Sequence, residues 1–273
     1  MGKHEFTREV SMRRRIIILI TMFCGVSFGW NIPIKSQGII SVVDHVIKVG
    51  HGWWWPDTFQ SNMVVTYLRP GLYGITNDCV STNHACLVGD ASTVPGVGFV
   101  LDGTNDAVML SMNSAMITGT NFTVSVWLRL TANYAVHELF VQSVNAIGYS
   151  IHNCFLVADN GRMGYENYPT SGGQIFSSNN VIPVLVWTHV VVTRDSDTVS
   201  FFVNGAPKGE GDSGSIEATG IDRTAFGAFA YYDGYINELY GSMDEILLTT
   251  QVMSPEDIFS YYTNSLSSEY STR

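Results

Sequence analysis

From residue 122 to residue 131 the chain alternates strictly. Phe122, Val124, Val126, Leu128 and Leu130 fall on one side, and Thr123, Ser125, Trp127, Arg129 and Thr131 on the other. A period of two is the repeat of a β-strand, so this run predicts a strand with one face in a core between two sheets. Trp127 then belongs to the other face, either lining the surface of its sheet or lying under a loop. The segment WTHVVVTRD over residues 187–195 is apolar and β-branched without a clean alternation, as a central strand should be. The run VSFFV follows over residues 199–203, and then Asn204 and Gly205. Asn-Gly between apolar flanks is a strong signal for a two-residue hairpin, because both turn positions must tolerate φ > 0. Near the C-terminus, Ser254 supplies an N-cap acceptor, Pro255 suits the first helical position, and Glu256 and Asp257 lie at the positive end of the dipole. A short helix is expected there, packing Ile258, Phe259 and Tyr262 onto one end of the sandwich, before a tail over residues 267–273.

The N-terminal pattern is different. Arg13, Arg14 and Arg15 run directly into an apolar stretch over residues 16–34. A basic flank before an apolar run reads as a signal sequence whose N-terminus, residues 1–15, stays in the cytoplasm. Ser27 and Gly29 offer small residues for cleavage after Gly29; the alternative is an uncleaved signal-anchor helix through Ile34. Nineteen residues at 1.5 Å each span roughly 28 Å, about one bilayer core. Either way the remainder faces an extracytoplasmic space, membrane-anchored or secreted. Residues 35–60 form a juxtamembrane linker with two readings. Ile39, Ile40, Val42, Val43, Val46, Ile47 and Val49 recur near helical spacing and, with Trp53, Trp54 and Trp55, suit an amphipathic helix at the membrane interface. Seven β-branched residues instead favour a strand.

Charge sharpens this division. The formal net charge is −10, but residues 1–15 carry +3 and the rest −13. A domain that acidic does not follow a phosphate backbone, so nucleic acid is excluded as a partner of the main domain. Charged residues are only 14% of the chain, against about 25% in ordinary globular proteins, which suits a secreted or surface β-protein. In an oxidising compartment Cys79 and Cys86, bracketing a short polar loop, are expected to form a disulfide. Cys154 reads as a buried strand thiol, and Asn121 begins a single glycosylation sequon, Asn121-Phe122-Thr123.

Five pieces in order carry a family resemblance: GFVLDGTNDAV over 98–108, FTVSVW over 122–127, the 187–206 pair just described, GSMDEILL over 241–248 and MSPEDI over 253–258. Together they resemble the laminin-G-like, concanavalin-A-like jelly roll over roughly residues 61–266. The resemblance implies an all-β, two-sheet antiparallel jelly-roll sandwich, here with an N-terminal signal or anchor helix and a short C-terminal helix. It implies little about activity, since one fold hosts many functions.

Catalysis should leave a signature, and the expected ones are missing. Glycosidases on this fold need carboxylates sharing a strand face, as in E-x-D-x-x-E. Glu210 and Asp212 lack the third acid, and the adjacent Asp244 and Glu245 point to opposite faces of a regular strand. His189, in a β-branched run, reads as structural. No catalytic residue is expected. Jelly rolls of this type often hold Ca²⁺ near the rim. Asp102, Asn105 and Asp106 cluster oxygens at a turn and Asp244 matches the acid of the family's D-E strand, so these four are the candidate Ca²⁺ ligands; the alternative is a tight turn closed by side-chain to backbone bonds. For a ligand, Tyr231, Tyr232, Asp233 and Tyr235 form a tyrosine-rich loop of the kind that stacks on sugar rings, with Trp127 as a further platform. The expected function is non-catalytic binding or adhesion, with a glycan or a surface protein as partner and the membrane engaged through residues 16–34. The alternatives are a membrane-tethered structural protein of an envelope, capsid or surface layer, and a glycoside-active enzyme.

Overall fold

The computed structural model describes residues 64–266, except 74–75, 80–82, 111–118, 133–135, 144–150, 168–173, 215–220, 222 and 232–233, together with three short strands between residues 32 and 50. The chain divides into two compact units, Met1–Trp55 and Pro56–Arg273. In the first, β1 (Ile32–Pro33), β2 (Ile39–Val43) and β3 (Val46–Gly50) form an antiparallel three-stranded sheet in that order. The β-branched run is therefore a hairpin and not an amphipathic helix: Val43 pairs with Val46, and Ile40 with both Val49 and Ile32. A signal-anchor helix through Ile34 does not fit, because Ile32 and Pro33 are already extended. Residues 16–31 and Trp53, Trp54 and Trp55 lie outside the described residues. Among the described residues, no helix is long and apolar enough to cross a membrane.

The second unit is a two-sheet antiparallel sandwich. Its first half runs through β4 (Val64–Leu68), α1 (Pro70–Tyr73), β5 (Ala85–Val88), β6 (Ser92–Val94), β7 (Gly98–Asp102), β8 (Ala107–Leu110), β9 (Phe122–Leu130), β10 (His137–Ser143) and β11 (Ile151–Val157). It continues with β12 (Met163–Glu166), β13 (Gln174–Phe176), β14 (Thr188–Asp195), β15 (Thr198–Val203), β16 (Ala206–Asp212), β17 (Arg223–Phe226), β18 (Phe229–Tyr231), β19 (Gly234–Ile236), β20 (Tyr240–Thr249) and α2 (Pro255–Ser265). One sheet has seven strands in the order β13-β12-β11-β10-β17-β8-β5. The other has eight, β16-β15-β14-β9-β20-β7-β6, with β4 also paired to β20. The sheet order is that of a jelly roll, the chain crossing repeatedly between sheets.

The alternation of β9 sorts as expected. Phe122, Val124, Val126, Leu128 and Leu130 enter the core with Val190 and Val192 from β14, Phe201 from β15, and Phe140, Phe155 and Tyr165 from the other sheet. Burying so many large apolar side chains, at roughly 25 cal/mol per Å², supplies most of the stabilisation. One end of this core is polar. Arg194, fully buried, donates to the Tyr165 hydroxyl at 3.0 Å and to the carbonyls of Ser196 and Gly214. Tyr165 donates on to Asn153, and Asn153 to Gln142 at 2.9 Å. The buried cation is thus satisfied from both sheets, as a buried charge must be. The Asn204-Gly205 hairpin forms, with φ of 51° and 76° and Val203 opposite Ala206. Ser254 caps α2, its hydroxyl accepting from the Asp257 N–H at 3.1 Å.

Candidate functional site

The two outer faces of the sandwich differ in what lies over them. On the eight-stranded sheet, Ser125, Trp127 and His189 face away from the core but are sealed under α2. Trp127 is 1% exposed; its indole N–H donates to Ser265 at 3.2 Å and its ring stacks on Tyr262, 5.8 Å between centroids. It offers no face to a ligand, so its place as a binding platform is corrected: the position faces outward, but a helix and not a loop or solvent covers it. His189 lies between Trp127, Tyr261 and Tyr262, with Nε2 2.7 Å from Ser125 Oγ. Burial holds its pKa down to about 3, so the ring is neutral. On α2, Ile258 and Tyr261 are buried as the helix's packing face, whereas Phe259, expected to pack, is exposed.

The D-E strand proves structural. Between Asp244 and Leu247 the pairing of β20 with β9 slips by a bulge, and Glu245 takes φ of 46°. The irregularity turns both acids to one segment. Asp244 Oδ1 accepts from the Gly71 N–H at 3.1 Å, and Glu245 pairs with Arg69 at 2.7 Å, both partners buried. A Cβ on Gly71 would sit 2.1 Å from Asp244 Oδ2, so glycine is required for that approach. The rule that adjacent strand residues diverge therefore fails here, and Asp244 is removed from the candidate Ca²⁺ set. Asp102 and Asp106 do come together, with Asp90 as a third carboxylate that the sequence did not single out. The turn closes by side-chain to backbone bonds, Thr104 N–H to Asp102 Oδ1 and Asp102 N–H to Asp106 Oδ2, both at 2.8 Å, with Asn105 left-handed at φ 59°.

The outer face of the seven-stranded sheet is buried at Val141, Cys154 and Leu156 and reaches solvent at Glu166, Gln174 and Phe176. Cross-strand pairing sets Glu138, Leu156, Gly164 and Phe176 in one row, and Val141, Cys154, Glu166 and Gln174 in another. Val141, Cys154, Leu156, Ala158 and Phe229 form a second apolar cluster there, with Phe176 and Ile236 against it. Beside it lies a groove of about 370 Å³ lined by Val136, Leu156, Ala158, Asp159, Arg162, Glu166, Gln174 and Phe176. Its floor depends on Gly164, where a Cβ would meet Leu156 Cδ1 at 2.7 Å and Phe176 Cε1 at 2.8 Å. The Arg162 guanidinium lies 3.6 Å from the Phe176 ring centre, and Gln174 donates to Glu166. Burial raises the Glu166 carboxyl. Glu138, 3% exposed, accepts from Asn237 Nδ2 at 2.8 Å through Oε1, while Oε2 has no partner. Burial pushes its pKa up to about 8, so it stays protonated at neutral pH. None of these groove residues forms a sequence motif. The available signal was in β11, where Cys154, Phe155, Leu156 and Val157 are apolar on both faces, so the outward side had to meet something.

The tyrosine loop is the β18–β19 hairpin, whose base belongs to this same face. Phe229 and Ile236 pack on the apolar cluster, and Asn237 bonds Glu138. Tyr235 is half-buried and pairs with Ala230; Tyr231 is in strand, and Tyr232 and Asp233 lie outside the described residues. Asn121 is exposed, its side-chain oxygen accepting from the Ser196 N–H at 3.0 Å. Cys79 and Cys86 are both free, which corrects the expected disulfide. Cys79 is tied to β4 of the eight-stranded sheet through its N–H to Tyr67, whereas Cys86 sits exposed on β5 of the other. Short sequence spacing did not reveal that Cys79 is held against one sheet while Cys86 lies in the other.

A family model described as the concanavalin A-like lectin/glucanases superfamily, of laminin-G type, matches residues 102–259. No curated protein matches the chain. Among solved structures, domain 4 of AbnA, a GH43 extracellular arabinanase from Geobacillus stearothermophilus in complex with arabinotriose, is 15% identical, with a TM-score of 0.56 over 72% of this chain and 97% of that one. The receptor binding domain of botulinum neurotoxin C/D mosaic serotype is 15% identical, TM-score 0.58, covering 76% of this chain and 52% of that one. A mutant of Trypanosoma rangeli sialidase displaying trans-sialidase activity is 13% identical, TM-score 0.60, covering 76% and 33%. The chain thus spans about half and a third of the latter two. At these identities the likeness is one of fold.

Proposed function

This chain belongs to the concanavalin A-like lectin/glucanases superfamily, and from that premise we propose that its sandwich binds glycans without cleaving them, through the groove on the outer face of the seven-stranded sheet. The observation that carries the reading is the groove's make-up: an apolar floor of Leu156, Ala158 and Phe176 rimmed by Asp159, Arg162, Glu166 and Gln174. Sugar rings bury C–H faces against apolar surface and present hydroxyls to polar tips, and 370 Å³ is within the range of small-ligand sites. The β18–β19 hairpin, with Tyr231 and Tyr235 in its strands, docks on the same face through Phe229 and Ile236. The similar domain 4 of AbnA, in complex with arabinotriose, is consistent with a saccharide ligand. Glu138 is pinned by Asn237 and does not line the groove, whose own carboxylates are Asp159 and Glu166. Export, directed by the basic flank and the apolar run that begins at Ile16, is part of the proposal.

A glycan-array screen of the full chain, repeated with Phe176→Ala, tests the reading. Selective binding lost in the variant supports it; no binding to any saccharide, or binding unchanged by Phe176→Ala, refutes it. Hydrolysis of a bound glycan would replace it with the enzyme reading. A second reading, assembly through a protein contact, is favoured by one observation. Val184, Leu185 and Val186 are consecutive and 41%, 56% and 52% exposed, more contiguous apolar surface than a solvated turn needs. Replacing all three with Ser should then abolish association with that partner and leave glycan binding intact.

A further inference from the structure

The groove has two chemically different ends. Arg162 immediately precedes β12 and Glu166 ends it. Residues two apart in a strand share a face, so Arg162, Gly164 and Glu166 all belong to the outer side of the seven-stranded sheet. Four residues at about 3.3 Å each put roughly 13 Å of backbone between the two charged positions. On β13, Phe176 stands opposite Gly164 and Gln174 opposite Glu166. Gly164 leaves the middle without a side chain of its own, so Leu156 and Phe176 flank an apolar centre. A cation closes one end, and an acid–amide pair closes the other.

Glu166 is already engaged, because Gln174 donates to its Oε1. Arg162 is fixed but unanswered. Its N–H donates to Asn160 Oδ1 at 3.3 Å, and its carbonyl accepts from the Ala158 N–H at 2.9 Å. Its guanidinium carbon lies 3.6 Å from the Phe176 ring centre, so the planar fork rests on the ring face. Asp159 and Glu166 line the same groove, yet among the described residues no carboxylate reaches ion-pair distance of Arg162. Its Nε is shielded from solvent and has no acceptor. Withholding both water and an acceptor from Nε leaves the cation under-solvated, and an anion on the remaining N–H groups of the fork offsets that cost.

We propose that the groove selects acidic saccharides: a uronic acid residue sets its carboxylate on the Arg162 fork, and the adjoining sugars run over Leu156 and Phe176 towards Gln174 and Glu166. The inference rests on the glycan reading of this groove and names the ligand class. A guanidinium matches a carboxylate in one plane, two donors to two acceptors, and its stacking on Phe176 holds that plane in advance. Glu166 leaves its strand roughly 13 Å further on, beyond the screening length of about 8 Å in physiological salt. Its repulsion of the anion is therefore weak beside direct contact. Asp159 is exposed, where water screens it. The competing ligands are a neutral saccharide, which would take only hydroxyl contacts from Arg162, and an amino sugar drawn to Glu166.

The test starts from the uronate-bearing saccharides of the glycan array. The best binder among them is titrated against the full chain beside its carboxyl-reduced form, which keeps the rings and loses the charge. The acidic form should bind about ten- to a hundredfold tighter, the range of a charge-assisted hydrogen bond. In Arg162→Gln the ratio of the two affinities should fall to about one. Taking the ratio within one variant cancels any loss from a displaced Phe176 ring. If Arg162→Gln does not fold, Arg162→Lys, which keeps the charge without the bidentate fork, should cut the ratio to a few-fold. Binding that depends on Phe176 but shows no preference for the acidic form overturns this inference alone. So does a preference for amino sugars, or an acidic preference that survives at Arg162→Gln. No binding of either form overturns the inference and the glycan reading together.

Discussion

On the outer face of the eight-stranded sheet, Trp127 and His189 lie beneath α2 with every approach closed. On the outer face of the seven-stranded sheet, Leu156, Phe176 and Glu166 stand around a groove. Both faces combine aromatic or aliphatic side chains with a buried ionisable group, so composition does not distinguish them. The cover does. Helix α2 makes the first face a second core, where polar atoms serve only one another. Among the described residues, the seven-stranded sheet carries the β18–β19 hairpin against Val141, Cys154 and Leu156, and its polar rim at Glu166 and Gln174 reaches solvent. Ionisation does not distinguish them: burial favours the neutral form on both, lowering the pKa of the base His189 and raising that of the acid Glu138.

The largest expected effect is on the sealed face. Trp127→Ala removes a fully buried indole and its bond to Ser265, and should cost about 3–5 kcal/mol in urea denaturation. A loss below about 1 kcal/mol would mean that α2 is not the seal described here.

The pH dependence of stability reports the two buried groups with opposite sign, because one is a base and the other an acid. His189 titrates near 3 in the fold and near 6.5 when unfolded, so the unfolded chain binds the extra proton. Its stability is full above pH 6.5 and falls as the pH drops, by about 3 kcal/mol down to pH 4. Glu138, at about 8 in the fold against a carboxylate's usual 4.3 or so, behaves oppositely. Its contribution is full below pH 4 and is lost as pH rises toward 8, by about 2.5 kcal/mol between pH 5 and 7. His189→Gln should flatten the acid arm of a stability profile and Glu138→Gln the neutral arm. Variants that leave both arms unchanged would break the contrast.

The smallest effect concerns the groove alone. Gly164→Ala pushes a methyl against the ends of Leu156 and Phe176, and should weaken glycan binding about five- to tenfold, roughly 1 kcal/mol, while the melting temperature barely moves. Titration calorimetry with an array-selected glycan reads this. A variant that binds as wild type would show that the floor of the groove is not where the sugar lies.

What the sequence disclosed follows from the range of the forces involved. The β9 alternation, the Asn204-Gly205 hairpin and the Ser254 cap are local, and the structure has each of them. Trp127 was assigned to the outward side, but whether that side is open depends on a helix more than 120 residues away. Asp244 and Glu245 obeyed the strand rule only until a bulge, set by pairing with β4, β7 and β9, turned both toward residues 69–71. The groove assembles Val136, Leu156, Arg162 and Phe176 from separate segments with no shared spacing, and Asp90 joins Asp106 only because two crossings meet. Those sites are products of topology, which a single sequence encodes without displaying.

Hydrogen exchange of the full chain, with and without a glycan selected on the array, tests the central claim most directly. The account predicts new protection over residues 154–166 and 174–176 and in the hairpin at 229–236, with none over α2. Protection confined to residues 255–265 or to the corner at 89–106, with β11 to β13 unchanged, would contradict it.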